Sequence, residues 1–314
     1  MSVAPAERST LGVLTSGGDA PGMNAAVWAT CESATRRGWR VLGVLEGFRG
    51  LLERRCRELV PDAVLPWGRR GGTLLGTSRL PDFEPKMPEL EAALVELGID
   101  QLLIYGGDGS VHAARLLAER RPVIAVPATI DNDVSGSDAS IGFATAIDTG
   151  LSLIDGIRDS AEALPRTFAL ETLGGETGYL AAAVAEAGAA DILLVPEAPM
   201  EVRALIEQVR ALLARRGYAV IVASEGYHDL EGALRELSEA TEMRVRLSRL
   251  GHSQRGGRPN AADRRLAHAF ARAGVSHLAA GRSGQLVWQR DRATLLTFAA
   301  DPTRRDVPTL ATSR

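Results

Sequence analysis

Lysine is almost missing from this sequence. Among its 36 basic residues Lys86 is the one lysine, and the rest are arginines. A phosphate loop ending in Gly-Lys-Ser/Thr is therefore excluded, and Schiff-base chemistry loses its usual candidates. Any phosphate bound here is left to arginine forks and backbone amides. Cysteine is equally scarce: Cys31 and Cys56 are too few and too isolated for a disulfide framework or a zinc site, which points to a reducing setting. No apolar run reaches transmembrane length, and residues 1–10 lack the apolar core of a signal peptide, so a cytoplasmic location with no membrane partner is expected. The net charge of -3 offers no basic footprint for nucleic acid. What remains is ordinary: 45% hydrophobic and 24% charged residues over a length of 314, room for two modest domains or one large one.

The densest chemistry lies in Pro127-Ala128-Thr129-Ile130-Asp131-Asn132-Asp133, after the apolar run 122–126. Thr129, Asp131 and Asp133 alternate, so in an extended chain they share one face. Two carboxylates and a hydroxyl at a strand's C-terminal end suit metal binding and removal of a proton from an alcohol. The same residues also suit an Asx-rich turn capping the next helix, and both readings stand at this point.

Three further strand–glycine–helix units are legible. Leu11–Thr15 leads into Ser16-Gly17-Gly18-Asp19 and a helical stretch to Arg37; Gln101–Tyr105 leads into Gly106-Gly107-Asp108-Gly109-Ser110 and a helix to about Arg121. Glycine there permits close backbone approach to phosphate, and Asp108 is placed to hold an accompanying metal. Arg166–Leu170 leads into Glu171–Tyr179 and an alanine-rich helix. Repeated glycine- or acid-bearing strand ends favour one ligand crevice over unrelated turns. Val41–Leu45, Ile192–Val195, Ala219–Ala223 and Leu286–Gln289 read as further strands, 47–50 as a turn, and 139–162 and 201–216 as helices. This alternation predicts an α/β fold with largely parallel sheets between helices. Residues 69–79 read as a loop over a ligand or a surface turn. Arg244, Arg246, Arg249, Arg255 and Arg258 surround Gly251-His252-Ser253-Gln254, either a site for a phosphorylated, hydroxyl-bearing ligand or a solvated basic turn. His112, His228, His268 and His277 show no ligand spacing.

Four runs in the same order, Gly12–Asn24 (GVLTSGGDAPGMN), Gly106–Ser110 (GGDGS), Thr129–Asp133 (TIDND) and Leu250–Gly257 (LGHSQRGG), resemble the 6-phosphofructokinase family. The resemblance implies a phosphofructokinase-like α/β fold: a nucleotide- and Mg²⁺-binding domain over 10–137 plus 254–300, a sugar-phosphate-binding domain over 138–253, and tails at 1–9 and 301–314. It implies ATP-dependent transfer of a phosphoryl group to the 1-hydroxyl of fructose 6-phosphate, a step of glycolysis. Asp131 then corresponds to the base, Thr129 to a donor toward the phosphoryl group, and Asp133 to a neighbour of the same chemistry. Gly18 corresponds to a backbone donor and Arg79 to a charge neutraliser. Gly17, Gly107, Gly109 and Ser110 fall with the nucleotide, and Asp108 with Mg²⁺. Arg166, Glu225, Arg246, His252, Arg255 and Leu173 fall with the sugar phosphate. In that family the counterparts of Arg166 and Arg246 come from a neighbouring subunit, so a homodimer or homotetramer with shared active sites is implied.

Departures from the family pattern set further expectations. Leu173-Gly174-Gly175 stands where Met-Gly-Arg is usual, which implies weaker catalysis or a reshaped acceptor site. Ala128 replaces a residue that is commonly glycine in ATP users and lysine in pyrophosphate users, whereas Gly109 sides with ATP. Glu84 stands where an arginine is frequent near the nucleotide. Trp28 and Glu32 occupy effector-site arginine positions, implying altered activation by nucleotide diphosphates. Pyrophosphate as donor, sedoheptulose 7-phosphate as acceptor, and a sugar-phosphate-sensing protein without turnover are the alternatives.

Overall fold

The computed structural model describes residues 9–298; the expected tails, apart from Ser9, lie outside them. In chain order the strands are β1 (Thr10–Thr15), β2 (Arg40–Val44), β3 (Cys56–Glu58), β4 (Gln101–Gly106), β5 (Val123–Thr129), β6 (Ile141–Gly142), β7 (Thr167–Thr172), β8 (Ile192–Leu194), β9 (Ala219–Ser224), β10 (Val245–Arg249), β11 (Gly284–Gln289) and β12 (Arg292–Leu296). The helices are α1 (Met23–Thr35), α2 (Gly47–Leu52), α3 (Pro61–Val64), α4 (Met87–Glu96), α5 (Asp108–Leu117), α6 (Phe143–Ala163), α7 (Tyr179–Ala187), α8 (Val202–Arg216), α9 (Leu230–Thr241) and α10 (Ala261–Ala279). Two compact units emerge: one holds the described residues to Ala144 and from Arg255, the other Thr145–Gln254. No helix among the described residues is long and apolar enough to cross a membrane.

The first unit is built on an eight-stranded sheet in the order β12-β11-β5-β4-β1-β2-β3, with β6 paired to β5. β1, β4 and β5 are buried along their whole length, which is why each reads as an unbroken apolar run rather than an alternating one. Helix α1 packs against α10 on one face, while Leu90, Leu94, Ala113 and Leu117 of α4 and α5 join the core with Leu102 and Ile104. The edges run antiparallel, β2 with β3 and β11 with β12.

Strand β5 runs through Pro127 to Thr129, further than the apolar run alone suggests. It pairs β11 at Ile124 and Ala125, then β6 at Ala128 and Thr129. Pro127 falls at that change of partner, where a residue without an N–H breaks no ladder on that side. Residues 47–50, read as a turn, instead open the short helix α2. Strand β12 follows β11 through a two-residue turn, Arg290 and Asp291, both at positive φ (49° and 57°), the geometry of a type I′ hairpin.

The second unit carries a four-stranded parallel sheet in the order β10-β7-β9-β8. Ala169, Ile221, Leu205, Val209, Leu234 and Leu237 pack α8 and α9 onto one face. Asp229 caps α9 by accepting from the Gly232 amide at 3.1 Å, and Gly217 ends α8 at φ 85°.

Candidate active site

Strands β1, β4 and β5 are parallel neighbours, so their C-terminal ends lie side by side, where open α/β sheets bind ligands. Each end is shaped by close backbone contacts. The Ser16 amide donates to Tyr105 O at 2.9 Å, joining the β1 turn to β4. A Cβ on Gly106 would stand 2.6 Å from Ser16 O and collide with Ser110 Oγ, so only glycine lets the two turns approach. Helix α5 starts at Asp108, a half-buried carboxylate at a helix N-terminus where negative charge is favoured. Space is open around Gly109, and a Cβ on Gly107 would meet only Thr129 Cβ, at 3.8 Å. Amides and a carboxylate here face room for a phosphate and its cation.

Residues 69–79 are tied down along their length. Buried Asn24 on α1 donates to Arg70 O (3.2 Å) and Gly71 O (3.1 Å), and accepts from the Leu74 amide (2.5 Å). Thr15 Oγ1 donates to Gly76 O at 2.7 Å, and Thr77 Oγ1 to Gly17 O at 2.8 Å. The Gly17 amide, at φ 85°, donates to Ser78 O at 3.3 Å. The segment is thus an anchored brace on the β1 turn, and it presents the exposed Arg79 beside that turn.

The 129–133 loop is not a continuing strand. Thr129 closes β5, its Oγ1 accepts from the Asp131 amide at 3.2 Å, and Asn132 sits in the left-handed region at φ 53°. Turn geometry rather than strand alternation therefore sets the directions of Asp131 and Asp133. Asn132, only 2% exposed, is the residue the sequence reading passed over. Ser140 Oγ donates to Thr129 O at 2.7 Å and stands 3.0 Å from Asn132 Oδ1, while Asn132 Nδ2 donates to Asp138 O at 3.4 Å. Buried Asp263 accepts from the Gly142 amide at 2.9 Å and fixes the next segment.

Arg255 joins these pieces. Its Nη1 lies 3.4 Å from Asp19 O, and its Nη2 3.9 Å from Asp131 Oδ1, with side chains 14% and 19% exposed. A Cβ on Gly18 would overlap the Arg255 Nη1 position, so the missing side chain at Gly18 admits the guanidinium.

In the second unit the expected sugar-phosphate residues divide between two ends of one sheet. At the C-terminal end, Glu225 follows β9 and accepts from the amides of Gly174 (3.1 Å) and Gly175 (2.8 Å). Both glycines have positive φ, 148° and 60°. The buried Leu173 donates its amide to Gln254 Oε1 at 2.7 Å, and this bond places the turn that begins at Gly251, with exposed His252, at the same end. Arg246 pairs in register with Phe168 near the other end, and Arg166 precedes β7. Arg244 first, then desolvation, then Arg166 lower the pKa of Arg246 below its usual value, as expected where cations crowd. Arg249 is held by Glu171 (3.1 Å) and Glu231, while in the first unit Arg258 borders Gly71 and Gly257.

The departing positions are also engaged. The Trp28 ring lies 5.2 Å from that of His268, Glu32 pairs with Arg36 at 2.7 Å, and Glu84 stands 3.3 Å from His112 Nε2. Ala128 is buried beside Ile141.

Comparison with known proteins agrees with this architecture. ATP-dependent 6-phosphofructokinase 1 of Thermus thermophilus is 41% identical over 288 residues, 88% of each chain. The ATP-dependent 6-phosphofructokinase of Bacillus subtilis is 39% identical over 281 residues, again 88% of each. Among solved structures, Pichia pastoris phosphofructokinase superposes with a TM-score of 0.88 at 28% identity, over 95% of this chain and 36% of that longer one. The phosphofructokinase family model matches residues 10–278, and the chain belongs to the phosphofructokinase family.

Proposed function

We propose that this protein transfers the terminal phosphoryl group of ATP to the 1-hydroxyl of fructose 6-phosphate, giving fructose 1,6-bisphosphate and ADP. The observation that carries the reading is the convergence of the Gly17–Gly18 turn, Asp108 and the Thr129–Asp133 loop at three adjacent strand ends, with Arg255 lodged between Gly18 and Asp131. Relatives about 40% identical and named as ATP-dependent 6-phosphofructokinases support the donor and the acceptor.

Phosphoryl transfer asks for alignment and charge stabilisation more than for covalent help. Asp131 takes the proton of the acceptor hydroxyl as the oxygen–phosphorus bond forms and the bond to the ADP oxygen breaks. Thr129 and the Gly18 amide donate to the transferring group, Arg79 balances its charge, and Asp133 stands beside the same centre. Gly17, Gly107, Gly109 and Ser110 line the phosphate side of the nucleotide. Mg²⁺ suits this donor set when it arrives on the nucleotide. Among the described residues no group of three or more His, Cys, Asp or Glu converges, and Asp108 is the carboxylate that would hold the ion there. Bound there, it would supply positive charge beside the phosphates.

The acceptor's phosphate is read by Arg166 and Arg246, its sugar by Glu225, His252, Arg255 and the turn at Leu173. Arg166 precedes Thr172 by six residues along β7, about 20 Å of extended chain. This separation of Arg166 and Arg246 from Glu225 and Leu173 supports a site shared between copies in a homo-oligomer. The test is a panel of ATP and pyrophosphate against fructose 6-phosphate and sedoheptulose 7-phosphate with Mg²⁺, using the parent and Asp131→Ala. ATP with fructose 6-phosphate is expected to be the preferred pair, and Asp131→Ala to lose at least roughly 100-fold in kcat. No turnover with any pair, or a variant within a few fold of the parent, would overturn the reading.

A further inference from the structure

Beside the catalytic crevice, the first unit has an open cleft of about 410 Å³ between residues 139–144, α10 and the hairpin turn at Asp291. Its size falls within the roughly 300–1,000 Å³ of small-molecule sites. The walls are mostly apolar: Phe143, Leu266, Ala269 and Trp288, the last packed edge-on against Phe270 at 6.0 Å. Along the rim, Arg265, His268 and Arg272 follow one another at i, i+3 and i+7, so helix periodicity sets them in one stripe. Both arginines are exposed, and among the described residues no ion pair holds either. Burial first, then Arg272, lower the pKa of His268, and the two arginines supply the stripe's fixed charge. Asp291 at the hairpin turn is one opposing charge; the second lining carboxylate, Asp263, is buried and bonded to the Gly142 amide. An apolar cleft with an arginine rim matches an anion that carries an apolar body, and the guanidinium fork matches a carboxylate.

We infer that this cleft binds a small organic carboxylate with an aromatic or branched aliphatic body, and that its occupancy regulates phosphoryl transfer. The coupling runs through the cleft's own wall. Ser140 lines the cleft and donates to Thr129 O, and stands 3.0 Å from Asn132 Oδ1. Asp263 lines it and holds Gly142. A ligand that fixes 139–144 therefore also fixes the loop bearing Asp131. This regulatory consequence rests on the proposed role of that loop; the binding site itself does not.

The test uses the full-length chain, titrated calorimetrically with benzoate and with phenylpyruvate, beside benzyl alcohol and inorganic phosphate. At least one carboxylate is expected to bind saturably, one per chain, with benzyl alcohol and phosphate each at least roughly tenfold weaker, as a lost charge-assisted bond requires. Arg272→Gln is expected to weaken binding by about the same factor. Ala269→Trp fills the cleft and removes binding, and Arg272→Gln leaves kcat and KM unchanged when no carboxylate is present. Hydrogen exchange of the peptide covering 129–133 slows on binding. Absence of saturable binding by both carboxylates, equal binding of benzyl alcohol or phosphate, or indifference to Arg272→Gln overturns the site. Binding with unchanged exchange at 129–133 overturns the regulation. Loss of the kinase assay with binding intact points instead to a fault in the proposed activity.

Discussion

Replacing Gly18 by alanine keeps the backbone amide and adds one methyl group where Arg255 now lies. The new Cβ would stand 3.2 Å from Arg255 Cζ and overlap Nη1, with no backbone atom in the way. Gly18 is not among the residues at positive φ, so alanine fits the local backbone. A compatible Gly→Ala change contributes about 0.4–1 kcal/mol of stability by narrowing the unfolded ensemble, which offsets the modest cost of swinging a guanidinium aside. Folding stability is therefore expected to stay within about 1 kcal/mol of the parent. Activity is not. Arg255 leaves its place between Asp19 O and Asp131, and a charge-assisted bond that it makes only to the bound substrate is worth about 1.5–3 kcal/mol. In kcat/KM that is roughly a 10- to 100-fold loss. A steady-state assay and a urea titration measure the two effects separately. The sharper check is a double-mutant cycle: in an Arg255→Ala background the extra methyl meets empty space, so Gly18→Ala should add nothing. Full activity in Gly18→Ala, or losses that multiply in the double variant, would refute the reasoning.

Other parts of the molecule respond in distinct ways. Ser140→Ala removes the bond to Thr129 O, and should cost about 1–2 kcal/mol of stability in urea unfolding and lower kcat several-fold, with less change in KM. Asn24→Ala releases three backbone anchors of 69–79 and should raise the KM for nucleotide, since Arg79 is presented by that segment; an unchanged KM would separate Arg79 from nucleotide binding. His268 and His277 both have folded pKa values below the ordinary imidazole value of about 6.5, each mainly through burial. Between the folded values and about 6.5 the unfolded chain binds more protons, so stability falls as pH drops through that window. Thermal melts of His268→Asn should show a shallower acid slope, with the His277 share remaining. Arg246→Ala and Glu225→Ala chains, each weak alone, should regain turnover when refolded together if one site draws on both ends of the sheet from two copies; no recovery would count against the shared site.

What the sequence discloses follows from how each feature is encoded. β1, β4 and β5 are central parallel strands, and full burial writes them as apolar runs ending in glycine- or acid-bearing turns. Hairpin β11–β12 is hidden for a local reason: Arg290 and Asp291 take positive φ without the Asn-Gly or Asp-Gly pair that usually marks such a turn. The ties that set the site are hidden for another. Asn24 reaches 46 to 50 residues along the chain and Ser140 reaches back 8 to 11. Side-chain bonds to distant backbone have no period, and an asparagine or serine in a turn looks alike whether or not it makes them. The arginine run at 244–258 stays open between a ligand site and a solvated basic turn for a related reason. Strand β10 spaces Arg246 and Arg249 along its length, and only packing shows that Arg249 is spent on Glu171 and Glu231.

The missing lysine and the placement of glycine are connected at the centre of the site. An ammonium is a compact charge on a flexible stem, whereas a guanidinium is broad, planar and directional. A phosphate site that works through arginine must open backbone space for that plane. Gly18 opens it for Arg255, which reaches toward Asp19 O with one nitrogen and Asp131 with another, a span that a single ammonium position does not reproduce. Lys86, the one lysine, has its Nζ 3.2 Å from Pro81 O on an exposed turn, clear of this arrangement. Arg255 also meets Asp131 from the side of the Gly17–Gly18 turn, so the group nearest the proposed base lies against the turn whose Gly18 amide is the proposed phosphoryl donor contact. On the proposed roles, displacing that guanidinium reaches base and phosphate cradle together, which is why a methyl group on Gly18 is expected to act on catalysis while leaving the fold intact.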